Sequence, residues 1–157
     1  MKLRHLFFAC SGVFVMMFSL LLLVVIVFSD EEDGGSGGNL IYGGVSVSQE
    51  VLAHKPMLEK YAREYGIEEY LNVLLAIIQV ESGGTLEDVM QSSESLGLPP
   101  NSLSTEESIK QGCKYFSELL AAAETKGCDL NSVIQSYNYG GGFLDYVAGR
   151  GKKYTFE

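Results

Sequence analysis

Glu81 is the residue whose setting in this sequence points most directly to chemistry. It follows the apolar run that ends Ile77-Ile78-Gln79-Val80 and precedes Ser82-Gly83-Gly84. A helix C-terminus and partial desolvation both disfavour an ionised carboxylate, so both would raise its pKa. A carboxylic acid that stays protonated near neutral pH can protonate a leaving oxygen, as in cleavage of a glycosidic bond. The alternative is that Glu81 simply ends a helix at a solvated edge.

A polar segment after Glu81 offers further groups for such a site. Asp88 lies seven residues on and is a candidate second carboxylate, although acidic loop residues are common. Gln91 to Ser95 concentrates hydroxyl, amide and carboxylate groups in one loop. Such groups bind sugars together with aromatic platforms, which Tyr137 and Tyr139 can supply. Each of these residues, taken singly, also has a purely structural explanation.

Helices must position these groups, because the pattern from residue 47 onward is helical throughout and shows no strand-like alternation. The run 68–81 is apolar on all sides and is therefore predicted to be the central helix. Ser104 and Glu107 form a capping box that opens a long helix, and Gly127 closes it. We therefore predict an all-α fold. Its helices are predicted at residues 48–65 with a kink or break at Pro56, 68–81, 104–126, 130–137 and 143–147.

The N-terminal residues predict a membrane anchor. Lys2 and Arg4 precede 23 uncharged residues, 6–28, which as a helix would measure roughly 35 Å and cross a bilayer. A cleaved signal peptide is the alternative, but its apolar core is normally shorter. The two cations place the N-terminus in the cytoplasm and the rest outside. We expect residues 1–29 to be a cytoplasmic stub and anchor, 30–46 a glycine-rich spacer, and 47–157 the functional domain, cut short at its C-terminus.

Charge and cysteine usage exclude some classes of function. The net charge is −9 and no Lys/Arg cluster is present, so the chain lacks the basic face that nucleic-acid binding needs. No Cys/His cluster suggests a metal site, and no cofactor is predicted. Cys113 and Cys128 lie in the outward part, where a disulfide must be considered. Their predicted positions favour free thiols but leave the pairing open.

Four ordered motifs together resemble the lysozyme-like domain of CwlT-type bacterial cell-wall hydrolases, which is akin to goose-type lysozymes and soluble lytic transglycosylases. The resemblance covers about 110 residues, from 47 to 156. Val89 departs from the family, in which a proline commonly follows the aspartate, and this weakens the inference for Asp88. The motifs are Glu81-Ser82-Gly83-Gly84, residues 88–95 (DVMQSSES), residues 108–112 (SIKQG) and Tyr137-Asn138-Tyr139-Gly140.

The resemblance implies roles for individual residues. Glu81 would be the catalytic acid acting on the β-1,4 bond between N-acetylmuramic acid and N-acetylglucosamine in peptidoglycan, and Asp88 the candidate second carboxylate. Family members often carry a C-terminal endopeptidase domain, and relatives in conjugative elements help transfer machinery cross the wall. The substrate-binding residues implied are Ser82, Met90, Gln91, Ser92, Glu94, Tyr137 and Asn138.

Three hypotheses follow from the sequence. The first is a membrane-anchored muramidase in which water attacks the sugar. The second is a lytic transglycosylase, in which the muramoyl 6-hydroxyl attacks and leaves an anhydro end. The third is a non-catalytic glycan-binding scaffold module of a transfer complex. The sequence does not separate the first two.

Overall fold

The computed structural model describes residues 40–42 and 45–155. The predicted anchor, residues 6–28, lies outside this part of the chain. Within it, two short strands precede six α-helices, and 3₁₀ turns occur at Glu68–Tyr70 and Ser92–Leu96. The strands are β1 (Leu40–Tyr42) and β2 (Val45–Val47); the helices are α1 (Gln49–Ala53), α2 (Lys55–Glu64), α3 (Leu71–Glu81), α4 (Thr105–Lys126), α5 (Leu130–Tyr139) and α6 (Gly142–Ala148).

The strand pair is a departure from the all-α prediction. β1 and β2 are antiparallel, with Leu40 opposite Val47 and Tyr42 opposite Val45. They lie where the sequence predicts a spacer up to residue 46 and helix from 47 onward. Both three-residue runs are rich in β-branched, aromatic or aliphatic residues. Each run is too short to show the alternation of apolar and polar residues by which a strand is predicted. β2 packs against α3, and the rest of the described fold is helical.

The helix boundaries largely follow the predicted signals. Ser48 caps α1 by accepting a hydrogen bond from the Val51 amide, and Pro56 lies in the first turn of α2. The predicted break at Pro56 is thus confirmed, since α1 and α2 are separate helices. The capping box at Ser104 and Glu107 is also present. α4 ends at Gly127, whose φ of 71° suits a residue without a side chain.

Helix α3 is central, as its all-round apolar pattern predicts. Its residues from Val73 to Ile78 are all buried. α1, α2 and β2 pack against it, while α4 contacts α2, α5 and α6. Phe116 of α4 is fully buried, and its ring meets Tyr70 edge-on at a centroid distance of 5.7 Å. α3 therefore runs from the buried core to the edge of the fold, where Glu81 is its last residue.

Hydrogen bonds join the start of the helical part to the C-terminal end of α3. The Ser48 amide donates to Gln79 Oε1 at 2.7 Å, and Ser48 Oγ donates to the Gly83 carbonyl at 3.3 Å. His54 Nε2 donates to the Gly84 carbonyl at 2.9 Å. A Cβ at Gly84 would lie 2.7 Å from backbone atoms of Glu50 and Val51, so only glycine permits this approach. Residues around α1 therefore hold the C-terminal end of α3 in place.

The two cysteines of the described domain are free thiols. Cys113 is buried and Cys128 is partly exposed. Burial raises the pKa of the Cys113 thiol to about 12, which keeps it protonated and inert. Among the described helices, none combines the length and apolar character that a membrane span requires.

Candidate active site

The cleft at the end of α3 contains the predicted acid. Glu81 is the last residue of α3 and is partly buried. The cleft encloses about 230 Å³. Its walls come from the end of α3, the loop between α3 and α4, the middle of α4 and the end of α5. The lining residues are Glu81, Gln91, Ser92, Glu94, Ser95, Tyr115, Tyr137, Asn138, Tyr139 and Gly140.

The surroundings of Glu81 make it a weak acid. Burial raises the pKa of its carboxyl group to about 7, and the negative charges of Glu94 and Asp88 act in the same direction. Desolvation and like charge both disfavour the ionised form. A substantial fraction of Glu81 is therefore protonated at neutral pH, which is the state that a proton donor needs. This direction agrees with the expectation drawn from the sequence.

Three of the predicted loop residues line the cleft. Gln91 has a φ of 47°, an unusual conformation for a residue with a side chain. Its Nε2 donates to the Asp88 carbonyl at 2.9 Å and to Asn101 Oδ1 at 2.7 Å, so the loop holds it in place. Ser92 is buried, whereas Glu94 is exposed and its carboxylate makes no hydrogen bond or ion pair with another described residue. Ser95 also lines this wall.

The structure places Asp88 inside the loop, not on the cleft surface. Its side chain is fully buried. One carboxylate oxygen accepts hydrogen bonds from the Ser92 amide at 3.0 Å and Ser108 Oγ at 2.6 Å, and the other accepts from the Ser93 amide at 3.3 Å. A carboxylate with both oxygens engaged in this way is poorly placed to hold a water against a substrate. Its geometry is that of a scaffold for the loop.

Ser82 and Met90, two other predicted binding residues, are not part of the cleft lining either. Ser82 Oγ donates to the Val89 carbonyl at 2.8 Å and accepts from the Gly84 amide at 3.0 Å. Met90 is fully buried. Its amide donates to Ser108 Oγ at 3.0 Å, and its carbonyl accepts from Tyr137 Oη at 3.2 Å. Both residues position the loop that carries the lining groups.

Residues of α4 complete this support. Ser108 joins three loop residues, because its carbonyl also accepts from Ser92 Oγ at 2.9 Å. A Cβ at Gly112 would lie 2.5 Å from Met90 Sδ and 2.9 Å from Tyr137 Oη. Gly112 thus lets the Met90 loop and Tyr137 meet directly on the surface of α4. Ser108 and Gly112 both belong to the third motif, residues 108–112, to which no role was assigned from the sequence.

The opposite wall comes from the end of α5 and from α4. Tyr137 is buried. Burial is the main cause that raises the pKa of its phenol well above the usual value, and the negative charge of the nearby Glu81 acts in the same direction. It therefore remains a hydrogen-bond donor, in accord with its bond to Met90. Asn138 and Tyr139 follow it in the lining. Tyr115 packs on Tyr137 with ring centroids 5.5 Å apart. Tyr115 was not predicted as a lining residue, because a tyrosine beside the apolar stripe of a long helix carries no local signal.

No metal site accompanies these groups in the described part of the chain, where no three His, Cys, Asp or Glu side chains cluster. The chemistry of the cleft is that of a weak carboxylic acid facing hydroxyl, amide, carboxylate and aromatic groups. This arrangement suits proton donation to a polar, multiply hydroxylated ligand.

The chain belongs to the lysozyme-like family, whose model matches residues 48–157. This match confirms the resemblance drawn from the four motifs. The bifunctional muramidase/DL-endopeptidase CwlT of Bacillus subtilis is 44% identical over 115 residues, which are 73% of this chain and 34% of CwlT. The uncharacterized membrane protein YocA of the same organism is 39% identical over 112 residues, 71% of this chain and 50% of YocA.

A solved structure extends the comparison to three dimensions. It is a Staphylococcus aureus Mu50 protein described as similar to a lipoprotein of the NLP/P60 family, with 77% identity and a TM-score of 0.69. The match covers 69% of this chain and 37% of the solved chain. The matched segment thus spans between about a third and a half of these three relatives.

Proposed function

We propose that this chain is a muramidase that cleaves the β-1,4 bond between N-acetylmuramic acid and N-acetylglucosamine in peptidoglycan. The observation that carries the proposal is a carboxyl group with a pKa of about 7 that faces a polar and aromatic cleft. Glu81 donates its proton to the glycosidic oxygen as the bond from that oxygen to the sugar C1 breaks. The positive charge that develops on the sugar lies close to the Glu81 carboxylate left behind. The name of CwlT, a muramidase, supports the choice of substrate.

Glu81→Gln in the full chain tests this proposal. The amide cannot donate a proton as an acid does, so release of reducing or anhydro ends from purified peptidoglycan should fall roughly 10²- to 10⁴-fold. Pelleting with insoluble peptidoglycan and the thermal unfolding midpoint serve as controls and should be retained. Lysis that survives in Glu81→Gln would refute the role of Glu81. Binding by the wild type without lysis, at any pH between about 5 and 8, would instead identify the non-catalytic scaffold module.

The fate of the sugar cation depends on a second carboxylate, and Glu94 is the other carboxylate that lines the cleft. In the hydrolase, the oxygen of a water bonds to C1 and a proton of that water passes to the Glu94 carboxylate. In the lytic transglycosylase, the oxygen of the muramoyl 6-hydroxyl bonds to C1, its proton passes to the Glu81 carboxylate left by the first step, and no water is needed. Asp88 is buried and hydrogen-bonded within the loop, so it does not hold a water in the cleft. This position favours the transglycosylase reaction.

Mass spectrometry of the digested glycan separates the two reactions. Hydrolysis with Glu94 as the base gives reducing muramic acid ends in the wild type, and Glu94→Gln then slows their release roughly 10²-fold. Anhydro ends in the wild type identify the transglycosylase. Reducing ends that form equally fast in Glu94→Gln would show that another group accepts the proton.

We further propose that residues 6–28 anchor the chain in the cell membrane with the lysozyme-like domain on the wall side. The 23 uncharged residues support this, as does a relative described as a membrane protein. Sedimentation of the full chain with membranes, and its release when residues 2–28 are deleted, would test it. Local wall opening for a conjugation apparatus is the proposed context. Its test is the transfer frequency from a donor that carries Glu81→Gln.

A further inference from the structure

The cleft is small for a polymeric ligand. Its volume of about 230 Å³ lies below the range of roughly 300–1,000 Å³ in which proteins enclose a drug-sized molecule. A glycan strand that places one bond beside Glu81 must therefore continue over the neighbouring surface. The direction of that surface is indicated by the side chains that adjoin the cleft.

A row of aromatic rings leads out of the cleft along α6. The aromatic row consists of Tyr139, Phe143 and Tyr146. The Tyr139 and Phe143 centroids are 5.2 Å apart with ring planes at 29°, and those of Phe143 and Tyr146 are 5.8 Å apart at 20°. Tyr139 lines the cleft. The end rings, Tyr139 and Tyr146, are 44% and 54% exposed, so much of their surface is open to a ligand.

Arg150 ends the aromatic row with a positive charge. Its guanidinium lies 3.8 Å from the centroid of the Tyr146 ring, a cation–π contact. It forms no ion pair within residues 45–155, whereas Lys55, Lys60, Lys114 and Lys126 each do. In a chain of net charge −9, a cation held in this position is suited to bind an anionic group.

We propose that the aromatic row and Arg150 form an outer binding surface for the glycan strand that leaves the cleft. Sugar units would lie against the exposed parts of the rings, and Arg150 would pair with a carboxylate of a stem peptide. Single exposed aromatic residues need no explanation, but here two exposed rings are joined through the half-buried Phe143 and adjoin a cleft, and contiguous apolar patches of this kind mark binding surfaces. The proposal rests on the proposed function, since it takes peptidoglycan as the ligand.

The test compares a polymer with a short substrate. Tyr146→Ala and Arg150→Gln in the full chain should raise KM for polymeric peptidoglycan about fivefold or more, the effect typical of losing an aromatic or arginine anchor. KM for a muramic-acid-containing tetrasaccharide, which occupies chiefly the cleft, should rise less. Tyr146→Phe keeps the ring and should restore most of the affinity for the polymer.

Two variants in α2, which does not line the cleft, serve as matched controls. Met57→Ala removes a partly buried apolar side chain and Arg63→Ala an exposed cation, and neither should alter the KM for the polymer. An equal change on both substrates would indicate a general structural effect of α6 and overturn the proposal. A rise in KM for the polymer no larger than that of the controls would also overturn the proposal. A change in the molecular mass of the variant protein in solution, without a change in KM, would do the same.

Binding of peptidoglycan can be measured independently of its cleavage. Pelleting with peptidoglycan can be measured in a Glu81→Gln background, with and without Tyr146→Ala. Weaker pelleting in the double variant supports the outer surface even if Glu81 has no role in lysis. Equal pelleting overturns the outer surface even if Glu81 is confirmed as the acid.

Discussion

At the scale of single residues, the raised pKa of Glu81 predicts how activity depends on pH. The proton donor is lost as the pH rises through about 7, so kcat/KM should fall on the alkaline side of neutrality. Glu94→Gln removes a negative charge that raises the Glu81 pKa, so the alkaline limb should move to lower pH. Glu87→Gln, which removes an exposed carboxylate from the same loop, is the control. A limb that moves equally in both variants would contradict a specific effect of Glu94.

The same pKa predicts a stability difference. A carboxyl group whose pKa is higher in the folded than in the unfolded protein destabilises the fold as the pH rises between the two values. For Glu81 that window runs from the ordinary value of 4.5 to about 7. Glu81→Gln should therefore gain free energy of unfolding relative to the wild type above pH 7, by up to about 3 kcal/mol. Urea unfolding at acidic and alkaline pH checks this, and a gain that does not depend on pH would count against it.

Asp88 is expected to act through the loop rather than on the substrate. Asp88→Asn replaces an acceptor of three hydrogen bonds and should lower the free energy of unfolding by about 1–3 kcal/mol. Ser108→Ala removes one partner of the same cluster. Because the two residues are in contact, their effects in a double variant should be less than additive. Full additivity in urea unfolding, or a loss of kcat with stability intact, would favour a direct catalytic role for Asp88.

At the scale of elements, the meeting of α4, α5 and the Met90 loop depends on Gly112. Gly112→Ala places a methyl group where Met90 and Tyr137 now lie, so we expect a stability loss of about 1–3 kcal/mol and a lower kcat. Gly142→Ala is the matched control, since nothing lies within 4 Å of its added Cβ and its φ is ordinary. Thermal unfolding and peptidoglycan lysis of both variants are the measurements. Equal tolerance of the two substitutions would refute this packing account.

At the scale of the whole molecule, net charge should govern the encounter with the wall. The chain carries −9, and peptidoglycan stem peptides end in carboxylates. Adding salt from about 0.01 M to 0.15 M shortens the screening length from about 30 Å to 8 Å and should raise kcat/KM on the polymer. An uncharged chitin oligosaccharide of similar length should bind with little response to salt. A rate on the polymer that falls with salt would indicate that attraction by Arg150 outweighs this repulsion.

The sequence predicts the helices, and the position of Glu81 at the end of a buried helix, because the signals for them are local. Ser48, Pro56 and the capping box at Ser104 act within a few residues of their own position. The division of the loop into lining and supporting residues was not predictable in this way. Asp88 and Met90 are polar or flexible residues in the same segment as Gln91 and Glu94, and only tertiary contacts with Ser108 and Gly112 turn them inward. The strand pair was missed because three-residue strands have no period to detect.

The hydrogen bonds from Ser48 and His54 to the end of α3 also bear on how far from the membrane the proposed cleavage can occur. The chain that precedes residue 48 therefore joins the domain close to Glu81, and its length limits the distance between Glu81 and the proposed anchor. Between the proposed anchor and this junction lie about 20 residues, which span at most roughly 70 Å when extended and about 25 Å on average when flexible. The strand pair shortens this further. The proposed anchor would thereby confine bond cleavage to the layer of wall nearest the membrane, and a longer spacer should allow cleavage farther from the membrane.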